Sequence, residues 1–389
     1  MTMASFSTVA HKVIGSGSTA ELATHLLAVT NASLRRVLLV SDAHLLALGL
    51  LQPALDSFIA AGIEVTCFTD VVPDPPESLV LACVAQAQRE GVDAVVAIGG
   101  GSSMDLAKVV AVMAHPECAQ RIGELYGVEQ VRGPRLPMLL APSTAGTGSE
   151  VTPVAVITTG ETTKAGIVSP WLYADVALLD PLLTASLPAE VAAVTGIDAM
   201  VHAIEAYTSK LRKNPLSDQY ALSALALLCA NIELACRPGP SGQVRENMLV
   251  GAMLAGQAFA NAPVAAIHAL AYPLGGHFHL SHGLSNALMM LPVMRFNLES
   301  CTPLYAQLAR HIAAAPIDAP DQQAARALIE YIAGLIDRLG VALQLRSHGI
   351  EESDLPTLAS DAMLQTRLLV NNPRQVSEKD ALALYQQAW

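Results

Sequence analysis

The chain has 389 residues, long for a single hydrophobic core, so two domains are expected. It is 52% hydrophobic but only 4% aromatic, so its cores must be built from Ala, Val and Leu, as is typical of α/β enzymes. A formal net charge of −12 argues against nucleic acid or an anionic membrane as a partner.

Residues 11–17 read as a turn followed by a short helix. Residues 35–40 read as a buried parallel strand, a short Val/Leu run after two arginines, and Asp42 follows it. A helix over 50–61 ends at Gly62. A second strand spans 63–68, a helix 77–89 and a third strand 93–98. That strand runs into Gly99-Gly100-Gly101-Ser102 and another helix. A further strand at 136–141 leads into the loop 142–150, and shorter strands are expected at 154–158, 166–168 and 176–179. Strands alternating with helices predict a parallel sheet covered on both faces. From Pro188 on, helical periodicity dominates, most clearly at 222–234, 246–259, 304–314 and 322–339. We therefore expect an α/β domain over residues 1–184 and an all-helical domain over 185–389.

Six cysteines without a C-x-x-C pair read as reduced core thiols in a cytoplasmic protein. Residues 1–12 lack a basic start followed by an apolar run, so no signal peptide is expected. The stretch 248–274 is long and uncharged enough to raise a membrane flag. Gln257, Asn261, Pro263 and His268 inside it favour a buried helix pair broken near residues 261–263.

Two motifs carry chemistry. Residues 247–294 contain no Asp, Glu, Lys or Arg; apart from Tyr272 their only ionisable side chains are His268, His277, His279 and His282. Buried imidazoles need partners, and neutral imidazole is the commonest protein ligand of transition metals. Upstream, Asp198 and His202 are spaced to share one helix face, with Thr195 and Gly196 as helix-start residues. Each histidine alone could be satisfied by a backbone carbonyl. A D-x-x-x-H pair plus two more histidines in an uncharged block instead points to Asp198, His202, His268 and His282 as a site for Zn or Fe(II).

The second motif is the strand that ends in Gly99-Gly100-Gly101-Ser102 and opens a helix. Glycines let backbone N–H groups approach a phosphate, and the helix N-terminus favours its charge. A tight strand-to-helix turn is the plain alternative. Asp42, either a helix N-cap or a ligand for both ribose hydroxyls of an adenosine, would repel a 2′-phosphate. The loop 143–149 offers hydroxyls and N–H groups to the same ligand.

The blocks 99–105, 142–150, 196–205, 268–276, 281–283 and Asn371-Asn372-Pro373-Arg374 together resemble the iron-containing (group III) alcohol dehydrogenase family over essentially the whole length. The resemblance implies an N-terminal dinucleotide-binding α/β domain with a parallel sheet and an all-α C-terminal domain, the dehydroquinate synthase-like architecture. It implies NAD and Fe(II), or Zn or another divalent ion, as cofactors. The metal ligands fall on Asp198, His202, His268 and His282, and the pyrophosphate turn on Gly99, Gly100, Gly101 and Ser102. Nucleotide contacts fall on Asp42, Asp74, Thr144, Thr147, Lys164, Leu183 and Leu187. The implied reaction is reversible oxidation of a small primary alcohol or diol to an aldehyde by hydride transfer, in a homodimer without nucleic-acid or membrane partners. Two positions depart from the family: Tyr272 replaces a histidine found in many members, and Asp74 an asparagine. Tyr272 and His277 are therefore the candidates for proton handling. Glycerol dehydrogenase-like and maleylacetate reductase-like oxidoreductases are alternatives, and a dehydroquinate synthase-like lyase is the alternative of a different class.

Overall fold

The computed structural model describes residues 5–30, 34–160 and 163–389. Of the stretch 1–12 read for a leader, residues 1–4 lie outside the described residues. The chain divides into two compact units: Thr8–Leu187, and Pro188–Trp389 joined by the described N-terminal residues 5–7.

In the first unit the strands are β1 (His11–Ile14), β2 (Arg36–Val40), β3 (Glu64–Phe68), β4 (Ala94–Gly99), β5 (Gly127–Val128), β6 (Met138–Pro142), β7 (Val154–Thr158), β8 (Lys164–Val168) and β9 (Val176–Leu179). The helices are α1 (Leu22–Val29), α2 (Ala43–Ala47), α3 (Gln52–Ala60), α4 (Glu77–Glu90) and α5 (Gly101–Met113). Six strands form an all-parallel sheet in the order β1-β9-β6-β4-β2-β3. Central β4 and β6 are buried along their whole length, which their unbroken apolar sequences anticipate. From β2 the chain goes to β3 on one side and then to β4 on the other. That reversal leaves a crevice outside the carboxyl ends of β2 and β4, where open α/β sheets bind ligands. Asp42 follows β2 and the triple glycine closes β4, so both lie at that point.

Residues 11–14 are an edge strand paired with β9, not a turn. Their pattern is weak because only one neighbour, remote in sequence, defines the strand. β7 and β8 form an antiparallel pair in a separate three-stranded sheet with β5.

The second unit holds α6 (Ala189–Thr208), α7 (Pro215–Ala235), α8 (Gly242–Asn261), α9 (Ala266–Phe278), α10 (His282–His311), α11 (Asp321–Arg338), α12 (Leu355–Ala362), α13 (Thr366–Leu369) and α14 (Glu378–Ala388), with no strand among the described residues. α6 begins six residues before Thr195, so Thr195 and Gly196 are interior, not helix-start, residues. The Thr195 hydroxyl bonds back to the Val191 carbonyl at 2.8 Å. The helix expected at 304–314 is the end of the 30-residue α10, which continues through Pro292 and Pro303.

No single helix among the described residues is long and apolar enough to cross a membrane; α8 and α9 pass that test only as a pair bent by 106°. Their apolar residues are buried in the protein, for example Ala255, Ala258, Ala269 and Leu270. At the end of α8, Asn261 exchanges two 2.8 Å hydrogen bonds with the backbone of Ser7. All six cysteines are free, but Cys67 is exposed, so not all are core thiols.

Candidate active site

Asp198 and His202 project from the buried middle of α6, where Ile197, Ala199, Met200 and Val201 leave no exposed surface. His268 stands in the first turn of α9. His279, in the left-handed conformation, ends α9, and α10 opens on His282. Gly283 lets α10 reach α6: a Cβ there would lie 2.5 Å from the Val194 carbonyl oxygen. One ligand atom each from Asp198, His202, His268 and His282 therefore lies within 4.8 Å of all the others. The Asp198 Oδ1 is 3.9 Å from His202 Nε2 and 3.6 Å from His282 Nε2. Ligands about 2.0–2.2 Å from a divalent ion lie roughly 3.3–4.4 Å from one another, so the set can close on one cation with small shifts. Three nitrogens and one carboxylate suit Fe(II) or Zn better than Ca or Mg.

Asp198, His202 and His268 are buried, while His282 is about a third exposed (35%). Burial alone would raise the Asp198 carboxyl. The facing imidazoles of His202, His282 and His268, with the Asn286 amide, outweigh it and hold this carboxyl below the usual value.

Two residues at this cluster escaped sequence reasoning. Asn286 Nδ2 lies 2.6 Å from Asp198 Oδ1 and 3.2 Å from both His268 Nε2 and His282 Nε2. Glu205 lies 2.7 Å from His268 Nδ1. A glutamate inside so apolar a helix was the one signal that could have marked it. Phe259 stacks on His202, with ring centroids 4.4 Å apart. The Tyr272 ring is 6.2 Å from that of His282. His277 Nε2 instead meets Asp361 Oδ2 at 2.6 Å, on α12.

In the α/β unit, α5 starts within the glycine turn, at Gly101, with Gly100 as its N-cap and no capping side chain. Its first N–H groups are left for an anion. Side chains would fill the cradle: a Cβ on Gly99 would lie 2.6 Å from Ser103 Cβ, and one on Gly101 2.8 Å from Thr147 Cγ2. Thr144 faces Gly100 at 3.8 Å from such a Cβ, so the loop and the turn form one surface. Asp42 serves as N-cap of α2 through Oδ1, accepting from Leu45 N at 2.9 Å. Its Oδ2 faces the Gly99 position at 4.0 Å, so capping and ligand binding need not exclude one another. Asp74, in the left-handed region, donates its N–H to Ser102 Oγ and pairs with Lys164 Nζ at 2.7 Å. Leu183 is packed in the core, and Leu187 is half-buried.

Beneath the turn lies a buried network that sequence reasoning did not assign. Lys108 Nζ donates to Ser149 Oγ (2.7 Å), Thr152 Oγ1 (3.3 Å) and the Val154 carbonyl (2.6 Å). Asp105 accepts from Ser149 Oγ at 2.6 Å and from Val156 N at 2.9 Å. These bonds tie α5 to the loop 143–152 and to β7. Burial pushes the Lys108 ammonium down to about 8 and the Glu150 carboxyl up to about 7.

Residues 10–181 match the family profile described as iron-containing alcohol dehydrogenase, and residues 192–389 the C-terminal profile of the Fe-containing alcohol dehydrogenase family. The chain is 39% identical to long-chain-alcohol dehydrogenase 1 of Geobacillus thermodenitrificans over 91% of this chain and 90% of that protein. The crystal structure of 1,3-propanediol oxidoreductase superposes with a TM-score of 0.95 at 33% identity, covering 100% of both chains. Sulfoacetaldehyde reductase from Bifidobacterium kashiwanohense, solved in complex with NAD⁺, matches with a TM-score of 0.88 at 27% identity, over 100% of this chain and 99% of that one.

Proposed function

The chain belongs to the iron-containing alcohol dehydrogenase family, and from that premise we propose how its own residues divide the work of a metal- and NAD-dependent alcohol dehydrogenase. The reaction is oxidation of a small primary alcohol or diol to the aldehyde, and its reverse. The observation that carries the proposal is the convergence of one buried carboxylate and three imidazoles, with no Lys or Arg in residues 247–294. A lyase acting on an acidic substrate would need such cations.

A divalent cation held by Asp198, His202, His268 and His282 supplies a Lewis acid for the substrate oxygen, and NAD supplies the hydride acceptor. Asp198 offsets only part of the cation's charge, so the centre stays net positive and suits a substrate oxygen that gains negative charge. Phe259, against His202, keeps that side apolar and limits the substrate's size. Tyr272 beside His282 handles the proton of the substrate hydroxyl, and His277 with Asp361 exchanges protons with solvent.

In the α/β unit the N–H groups of Gly99, Gly100, Gly101 and Ser102 bind the pyrophosphate, and Asp42 holds the adenosine ribose. Thr144, Thr147, Asp74 and Lys164 complete the nucleotide contacts, with Leu183 and Leu187 as apolar ones. The dinucleotide thus belongs to the α/β unit, Thr8–Leu187, and the metal to the helical unit. We also place the enzyme in the cytoplasm as a homodimer. Six unpaired thiols support a reducing compartment, and light scattering on the purified protein checks the dimer.

Anaerobic purification, elemental analysis and an NADH absorbance assay with ethanol and 1,3-propanediol test the reading. Stoichiometric Fe or Zn and growth of the NADH band are expected. A protein that holds no metal and forms no NADH with any primary alcohol would refute it.

A further inference from the structure

Glu205 is a buried carboxylate (3% exposed) that none of the roles above uses. It sits on α6, three residues after His202. Oε1 accepts from Ile267 N at 2.7 Å; Oε2 accepts from Ala265 N at 3.0 Å and lies 2.7 Å from His268 Nδ1. Ala265 is the N-cap of α9 and Ile267 lies in its first turn, where backbone N–H groups lack intrahelical acceptors; among the described residues no other side chain caps these two. The one ion pair that Glu205 makes among the described residues is with His268 itself.

We infer that Glu205 is a positioning residue that fixes the tautomer and aim of His268, and thereby sets the affinity of the four-ligand centre for its metal. This rests on the ligand set proposed above. A carboxylate only accepts hydrogen bonds, so the 2.7 Å contact places the ring proton on Nδ1. Nε2 then carries the lone pair, and it is Nε2 that points into the cluster, 3.2 Å from Asn286 Nδ2. The two backbone bonds hold the carboxylate still, so the ring is gripped from behind by a group that the start of α9 locks in place. Such carboxylate–histidine pairs orient a ligand imidazole and raise its basicity.

Glu205→Gln separates this role from simple helix capping. An amide offers one acceptor oxygen where the carboxylate offers two. If its NH2 takes the place of Oε2, it faces the Ala265 N–H and donates to Nδ1, moving the ring proton to Nε2. If its NH2 takes the place of Oε1, it faces the Ile267 N–H and leaves that donor unbonded.

The test loads wild type and Glu205→Gln with Zn(II) alone and measures affinity by chelator competition, with the KM for NAD as a control on the other unit. Affinity is expected to fall about 10–100-fold, with the KM for NAD unchanged. A capping role alone would lower thermal stability and leave the affinity of the folded protein as it was; that result overturns the inference. Should the variant not fold, ¹⁵N-histidine NMR of Zn(II)-loaded wild type decides the matter. A ring proton on Nδ1 of His268 supports the inference, and one on Nε2 overturns it. If wild type takes up no Zn(II), the ligand set fails and the inference with it. If wild type binds normally and the variant binds equally well, only the role of Glu205 fails.

Discussion

The glycine turn and the four-ligand centre solve opposite problems with opposite materials. The turn is four consecutive residues that offer backbone N–H groups at a reversal in strand order. It needs side chains to be missing. The centre is built wholly from side chains, drawn from α6, α9 and the start of α10 over 85 positions, from 198 to 282. It needs whole helices to be placed, and a single small residue, Gly283, lets two of them meet. The contrast teaches that the first site should fail by crowding and the second by deletion, each without disabling the other.

Four substitutions sharpen or break that contrast. His268→Ala should have the largest effect. Losing the Lewis acid is worth several kcal/mol, so kcat/KM should drop about 10³-fold or more. Metal content should fall with it while NAD binding persists; normal occupancy by elemental analysis would show that the ligand set is misassigned. Gly99→Ala comes next. The added methyl meets Ser103 Cβ at 2.6 Å, and overpacking of this kind costs about 1–3 kcal/mol. KM for NAD should rise by roughly tenfold with metal content intact, whereas loss of metal in this variant would erase the separation between the sites.

Asp42→Gly should relax discrimination against NADP by about tenfold, the equivalent of about 1.4 kcal/mol. Glycine in place of an Asp N-cap costs only a few tenths of a kcal/mol, so the variant should fold. An unchanged NAD/NADP ratio in steady-state kinetics would remove Asp42 from the ribose.

The last effect falls on stability alone and leaves both sites as they are. The Glu150 carboxyl is raised from 4.5 to about 7, chiefly by burial. Between those values the folded protein holds a proton that the unfolded chain has lost, so stability falls as pH rises through that window. Glu150→Gln should flatten the fall, by about 1–3 kcal/mol at pH 7. Parallel pH dependence of melting in the two proteins would show that Glu150 titrates as an exposed residue does.

Much of this was legible in the sequence wherever the signal is local. Strands β2, β4, β7 and β9 announce themselves as runs of Val, Ile, Leu and Ala. The triple glycine lies in one contiguous stretch, and Asp198 and His202 share a face by spacing alone. What was illegible depends on distant partners. β1 is a strand because β9, some 165 positions later, pairs with it. Glu205 has its meaning from Ala265, Ile267 and His268, 60–63 positions on, and His277 from Asp361, 84 positions on. The family resemblance added Asp74 and Lys164 as proposed nucleotide contacts, which no local pattern marks, though it did not foretell that the two side chains pair with each other.

The grip of Asn261 on the Ser7 backbone has a topological consequence. The polypeptide starts its described course on the helical unit, leaves for the whole α/β unit, and returns at Pro188. The α/β unit is therefore an insert with two covalent exits rather than the front half of a tandem. A fragment cut at residue 188 would lack the strand of backbone that Asn261 holds. Circular permutation that rejoins residues 5–7 to the helices is the more promising way to produce that unit by itself.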